Sequence, residues 1–483
     1  MTQVQERDAS PGDDSLELKR EFTLWSAGAF AFAFISPIVA LYGIFGLAFS
    51  AAGPSLWWGF WIVLAFQLLV ALVFAELASK WPFEGSIYQW TRRILGQTWG
   101  WFAGWAYIWT LVIACGTVAY ITAGFIPVVL DRAPFSQTGQ ILAGIGIVAF
   151  VTVINTVGRK AMKVLVALSI TAELLGSIVI GTILLFFHNE HGPGALFESH
   201  GASYGGGPFL WAGLAAAMAF IGWSFVGFES AGAIGEEVQN PARDVPKAII
   251  WSIVIVAAVV IYSSLGLILA IPNFDAVLSG KVADPVAETI SAQLGSGITR
   301  PLFALFIVGF VASALALQAS ASRIMWAFAR DDVLPASGFL KKLTKHDRLP
   351  INAIFTASAL SILILISTRS DNLFGTLVNF TTGGFYIAFA FPIIAAVVMR
   401  RRKEPFEPGP FSLGRWGLPV ASVASAWIVF ELINIAWPRA EGVPWYQDWG
   451  VVVMIVVVGA IGWLVYLSKR SRILDADTQL RGE

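Results

Sequence analysis

Three acidic residues, Glu173, Glu229 and Glu431, stand in stretches that are otherwise apolar. A charged side chain at the centre of a bilayer costs at least about 2.5 kcal/mol on insertion scales, so acids in such places are functional suspects. Glu229 closes the segment Gly222-Trp223-Ser224-Phe225-Val226-Gly227-Phe228-Glu229. Its carboxylate is suited to pairing with an amine or to gating by proton uptake; the structural alternative is that it caps amides exposed by a break in the helix. Glu173 has no cationic neighbour at i±3 or i±4. It must bond across helices or stay protonated, and a carboxyl poised between those states can carry a proton. Glu431, toward one end of its stretch, reads as structural or as an oligomer contact. Trp223, Phe225 and Phe228 could cover an ammonium by cation–π attraction. The four histidines fall between the apolar stretches, which excludes a histidine relay inside them, and Cys115 is the only cysteine, which excludes an internal disulfide. A phosphate-binding glycine loop, a metal-ligand cluster and a nucleophile elbow are all missing, so no enzyme, cofactor or metal is expected.

The elements that must position these groups are membrane helices. Of 483 residues 57% are hydrophobic and 13% charged, against about a quarter charged in soluble domains. A bilayer core of about 30 Å needs about 20 apolar residues per helix. Such runs recur at 24–48, 54–79, 98–126, 138–156, 162–187, 209–233, 248–271, 300–328, 350–368, 373–398, 416–437 and 449–468, so the expected fold class is all-α integral membrane with about twelve spans. Placing the N-terminus in the cytoplasm puts Lys19, Arg20, Lys80, Arg92, Arg93, Lys163, Lys341, Lys342 and the run from Arg400 to Lys403 inside, leaving only Arg132, Lys281, Arg300, Arg369 and Arg439 outside. This asymmetry is what the positive-inside rule demands, and both termini are expected in the cytoplasm of a multi-pass protein of the cytoplasmic membrane. The first twenty residues are polar and lack the features of a signal peptide. Loops are too short for an appended catalytic domain.

Two spans are interrupted. The first contains Phe34-Ile35-Ser36-Pro37, where proline cannot donate and disfavours helix in the residue before it, so Ser36 and Pro37 are expected as N-cap and first residue of a second half-helix. The sixth is broken around Gly227. Breaks at the first helix of each of two halves point to an inverted-repeat transporter, because unwound backbone at membrane depth is tolerated where it lines a site. The expected division is a tail over 1–22, a ten-helix core over 23–398 with repeats of about 23–190 and 205–398, two further helices over 399–468, and a tail over 469–483.

The stretch from Trp223 to Ser230, followed by Glu236-Glu237-Val238-Gln239-Asn240-Pro241 and Val245-Pro246-Lys247-Ala248, resembles the sixth helix and following loop of the amino acid–polyamine–organocation (APC) transporters. Ala75-Glu76-Leu77-Ala78, Pro82, Gly85 and Tyr88-Gln89-Trp90, and Ser322-Arg323 with Ala329-Arg330-Asp331-Asp332, agree in order and position. The resemblance covers essentially the whole chain. It implies the LeuT-type fold, a five-helix repeat inverted plus two helices, with helices one and six discontinuous and alternating access between them. In the arginine/agmatine antiporters of that family the matching tryptophan covers substrate and the matching glutamate takes part in gating, roles that would fall to Trp223 and Glu229. The expected substrate lining is Ile35, Ser36, Pro37, Val112, Cys115, Trp223, Ser224, Phe225 and Gly227.

The chain also departs from the family's pattern. Amino acid permeases usually carry a small glycine-rich triplet in the first break, where open amides hold the substrate carboxylate; here Phe34-Ile35-Ser36-Pro37 takes its place. The opening Leu18-Lys19-Arg20-Glu21-Phe22 and the end of the eighth helix look closer to the branch that carries γ-aminobutyrate, choline and polyamines. Many sodium-independent members place a lysine eighteen residues after an asparagine matching Asn155, and that count lands on Glu173. With Ser313, which matches a family serine near the same place, Glu173 is the expected site of coupling to a proton, with sodium as the rival. The expected function is transport of a small amino acid or amine by symport or exchange, with partners limited to substrate, coupling ion and lipid, and no nucleic acid. A channel needs a continuous polar stripe or charged ring along a pore, and a receptor or membrane enzyme is the remaining alternative.

Overall fold

A computed structural model describes residues 20–203, 208–282, 284–367, 373–402, 407–439 and 444–481. Most of the expected N-terminal tail, with Leu18 and Lys19, and the basic positions Arg369 and Lys403 lie outside the described residues. A backbone in lipid must satisfy its polar groups internally, and the apolar runs do so as helices. Among the described residues, eleven helices are long and apolar enough to cross a membrane: Leu24–Tyr42, Phe45–Lys80, Gln97–Leu130, Gln137–Val157, Lys160–Phe187, Phe209–Ala233, Pro241–Leu269, Ser296–Arg330, Phe374–Arg401, Gly414–Ala436 and Gly450–Leu474. The shorter apolar helix Ile351–Ser367 falls between the eighth and ninth of these and brings the count to the expected twelve. We number the spans one to twelve in chain order with Ile351–Ser367 as the ninth.

Several ends differ from expectation. The first span stops at Tyr42, capped by Gly43, and Phe45–Ala52 belongs to the second, which resumes as Leu56–Lys80 after a 3-10 turn at Gly53–Ser55. The turn at Gly53–Ser55 falls at the expected boundary near 48–54, whereas the break at Gly43-Ile44 lies inside the expected first span. The segment left between the expected spans seven and eight holds two helices, Phe274–Leu278 and Pro285–Leu294.

The third, sixth and eighth spans are interior, each 78% buried over its most apolar window, whereas the fourth and twelfth are only 28% and 22% buried and face outward. The third span packs along both the eighth and the tenth. One end of the bundle gathers a network of ion pairs: Arg92 with Asp331, Arg330 with Glu236, Arg323 with Glu237, Arg400 with Glu76 and Lys341 with Asp332. At this basic face the N-terminal end of the first span is stitched to the loop after the sixth by an isolated parallel bridge between Phe22 and Val238. Arg300 pairs with Asp131 at the opposite face.

Candidate functional site

The first break forms where proline forces it. Ser36 has φ 51° and ψ 111°, outside the helical region, between Leu24–Ile35 and the second half-helix Pro37–Tyr42. Each backbone position that opens the second half is accounted for. Pro37 has no N–H; the Ile38 N–H donates to a carboxyl oxygen of Glu173 at 2.8 Å. The Val39 N–H donates to Ser36 Oγ at 3.2 Å, and the Ala40 N–H to the Ser36 carbonyl at 2.7 Å. The Ser36 hydroxyl donates to the other oxygen of Glu173. A carboxylate on a helix N-terminus is favoured by the helix dipole as well as by these bonds. Ser313 donates its hydroxyl to the Phe34 carbonyl at 2.8 Å, on the other side of the break.

Glu173 is held in place from behind. It is followed by a π-helix at Leu174–Val179, a form often found at functional sites. The Tyr42 hydroxyl donates to the Gly176 carbonyl at 2.9 Å and joins that π-helix to the second half-helix. A Cβ on Gly309 would come within 3.1 Å of the Glu173 carboxyl, so a glycine on the eighth span makes the room.

The second break follows from its glycines. A 3-10 turn over Gly222–Phe225 gives way to extended backbone at Val226, then to Gly227 with φ 105°, before the short helix Ser230–Ala233. Gly227 donates its N–H to Glu229 at 3.0 Å, and the Tyr107 hydroxyl donates to the second carboxyl oxygen at 2.7 Å. Gln67 Nε2 donates to the Phe225 carbonyl at 3.1 Å. The Ser224 hydroxyl donates to the carbonyl of Ala40, so the two breaks are bonded to each other. An alanine Cβ at position 227 would meet the Phe34 ring at 2.3 Å and would also be forced into a backbone region L residues avoid. Gly227→Ala is therefore expected to cost about 2 kcal/mol or more, read as a fall in the thermal midpoint of the purified protein, whereas Gly146→Ala, within a helix and where a Cβ meets nothing, does not lower the midpoint.

The structure brings most of the expected lining together. Phe34 and Ile35 pack on Gly227, and Ser36, Pro37, Trp223, Ser224 and Phe225 are all buried beside the breaks, Trp223 being 6% exposed. Val112 and Cys115 are buried on the third span: the Val112 carbonyl accepts from Ser361 on the ninth span, and the Cys115 thiol donates to the carbonyl of Ala314 on the eighth, the residue after Ser313. Glu431 is fully buried, accepts from Asn434 at 3.2 Å, and through Asn434 is tied to the Ala215 carbonyl of the sixth span, so the expectation of an oligomer contact is corrected while a structural role stands. Sequence reading missed Tyr107 and Gln67, whose signal was a polar group in an apolar run, and the meeting of Arg323 with Glu237, both of which lie in segments singled out only by resemblance.

A family model described as amino acid permease matches residues 22–461. The chain belongs to the amino acid permease family. It is a multi-pass membrane protein of the APC superfamily, whose members are transporters rather than enzymes. The permease is 28% identical over 429 residues to the branched-chain amino acid permease of Lactococcus lactis subsp. cremoris, covering 81% of this chain and 87% of that protein. It is 26% identical over 452 residues to the GABA-specific permease of Saccharomyces cerevisiae, covering 88% and 77%. A branched-chain amino acid permease of Bacillus subtilis is 26% identical over 457 residues, covering 89% and 90%.

Proposed function

We propose that this permease moves a small amino acid or amine across the cytoplasmic membrane by alternating access around the two breaks, as proton-coupled uptake or exchange, with Glu173 carrying the proton. The observation that carries the reading is the seat of Glu173 on the second half of the first span, bonded by both Ser36 and Ile38. Ionised, the carboxylate accepts both bonds and ties the fifth span to the half-helix. Protonated, one of its oxygens becomes a donor and the half-helix loses the negative charge at its N-terminus, so the tie weakens. Sodium is the less favoured rival, because both oxygens of Glu173 already accept from hydrogen donors and Ser313 is directed at the Phe34 carbonyl, whereas a hard cation needs several oxygens turned toward it.

Trp223 and Glu229 act as the gate in this reading, and Glu229 works through Tyr107 and Gly227, the groups that hold it. Residues 23–398 form the transport core, residues 399–468 flank it, and the basic face with both termini is cytoplasmic. The substrate clause leans on the closed N-terminus of the half-helix. With the amides of Ile38, Val39 and Ala40 taken, a substrate carboxylate finds no donor there, which favours an amine or an amino acid whose carboxylate is distant from its ammonium.

Purified protein in liposomes, tested with leucine, valine, γ-aminobutyrate, putrescine and choline under imposed proton or sodium gradients, checks both clauses. Accumulation of γ-aminobutyrate or a simple amine driven by an inward proton gradient is the expected result. Accumulation that follows only a sodium gradient would overturn the coupling assignment, and strict preference for α-amino acids would overturn the substrate clause.

A further inference from the structure

We propose that Glu84 is the proton-binding site of the gate on the basic face: the gate closes with a proton on Glu84 and gives it up to water on opening. This rests on the alternating-access reading above, but on a different residue from the one assigned to coupling there.

Glu84 lies in the turn between the second and third spans and is 0% exposed. Its N–H donates to Glu236 at 3.1 Å, yet neither of its carboxyl oxygens receives a hydrogen bond from any described residue. The acids beside it are well served. Arg323 Nε donates to Glu237 at 3.0 Å, and Arg330 grips both oxygens of Glu236 at 2.9 and 3.1 Å. Three carboxyl groups thus share two guanidiniums, and both guanidiniums are bonded to the other two acids. The remaining charges around the turn are engaged as well: Arg92 is bonded to Asp331 and Tyr88, Arg93 lies over the Phe83 ring at 4.4 Å, and Lys80 lies over the Trp81 ring at 5.1 Å. A buried carboxylate with no donor and two acidic neighbours is the unfavourable member of such a set, and a proton resolves it. Burial, then Glu237 and Glu236, hold the Glu84 carboxyl well above the usual carboxylate range against the opposing pull of Arg323 and Arg330.

The turn is locked among the parts that an opening must separate. Phe22 at the start of the first span exchanges backbone bonds of 2.9 Å with Glu237 and Gln239, and Gly235 sits so close to Pro82 that a Cβ there would meet its carbonyl at 2.9 Å. When the first span, the loop after the sixth and the end of the eighth part, water reaches Glu84 and its carboxyl returns toward an ordinary value of about 4.3. The group is therefore raised in the closed state. Closure is fully favoured below the open-state value and is lost as pH rises through the closed-state value; between them the open-to-closed ratio rises about tenfold per pH unit.

The test uses the full chain in lipid nanodiscs with nitroxides at Glu21→Cys and Lys345→Cys, both exposed at the basic face, and reads the inter-label distance distribution at a series of pH values. The expected result is a growing open population as pH rises, a flat response in Glu84→Gln, and a retained slope in Glu84→Asp. Glu84→Leu serves as a second non-titrating variant should the glutamine variant fail to fold. A slope that persists in Glu84→Gln or Glu84→Leu, or a parent protein with no slope, overturns the proposal. Glu173→Gln separates the two readings: its gate keeps the slope if Glu84 is the site, and loses it if Glu173 alone drives opening.

Discussion

Glu173→Gln is expected to abolish substrate accumulation driven by an inward proton gradient while substrate exchange at equal pH continues. The glutamine fills the same volume, its oxygen can accept from Ile38, and the Ser36 hydroxyl can turn to accept from its amide, so the contact between the fifth span and the first break survives in a form resembling the protonated acid. The loss of a charge-assisted bond should cost stability only about 1 to 2 kcal/mol. What disappears is the alternation between two protonation states. With one proton moved per substrate, a gradient of one pH unit supports about tenfold accumulation in the parent and none in the variant, a difference read directly from uptake plateaus in liposomes. Full accumulation by the variant would place the proton elsewhere.

The second large effect is on stability. In Arg323 and Glu237 the paired side chains are 1% and 0% exposed, and Arg323 also donates to the Ala319 carbonyl at 3.4 Å. Arg323→Ala takes the guanidinium from a carboxylate that remains buried, which costs about 3 to 5 kcal/mol in comparable settings. Glu237 carries the carbonyl that accepts from Phe22, so the damage extends to the anchor of the first span. The nearby pair of Arg330 and Glu236, 24% and 21% exposed, is partly solvated, and Arg330→Ala is expected to cost only about 1 kcal/mol. Thermal unfolding of the two variants side by side tests the ranking; equal losses would show that burial is not what sets the cost.

The spans and their breaks were readable because lipid imposes a one-dimensional rule: apolar length makes a helix, and proline or paired glycines interrupt it. Ser36-Pro37 and Gly227 needed no partner to reveal themselves. The partners of the acids were hidden because they are distant in sequence. Glu173 meets Ser36 across 137 positions and Tyr107 meets Glu229 across 122, and neither separation leaves a local pattern. The choice between the two readings of Glu431 was left open for a related reason. Its span is apolar on every side, with 39% of its most apolar window buried, so composition gives no sign of which face turns inward. The surplus acid at Glu84 was hidden too, since its charged neighbours come from two distant segments, the loop after the sixth span and the end of the eighth.

The π-helix behind Glu173 has a consequence for how this permease is compared with its relatives. A π turn takes in an extra residue, and one residue of an α-helix corresponds to a rotation of about 100°. Counting from Asn155 reaches Glu173 before the π turn begins, so that correspondence is unaffected. From Ile180 onward, the same count in a relative with a regular helix names a residue on a different side of the cylinder. Two chains can therefore align without a gap through the fifth span and still turn different side chains toward the lipid.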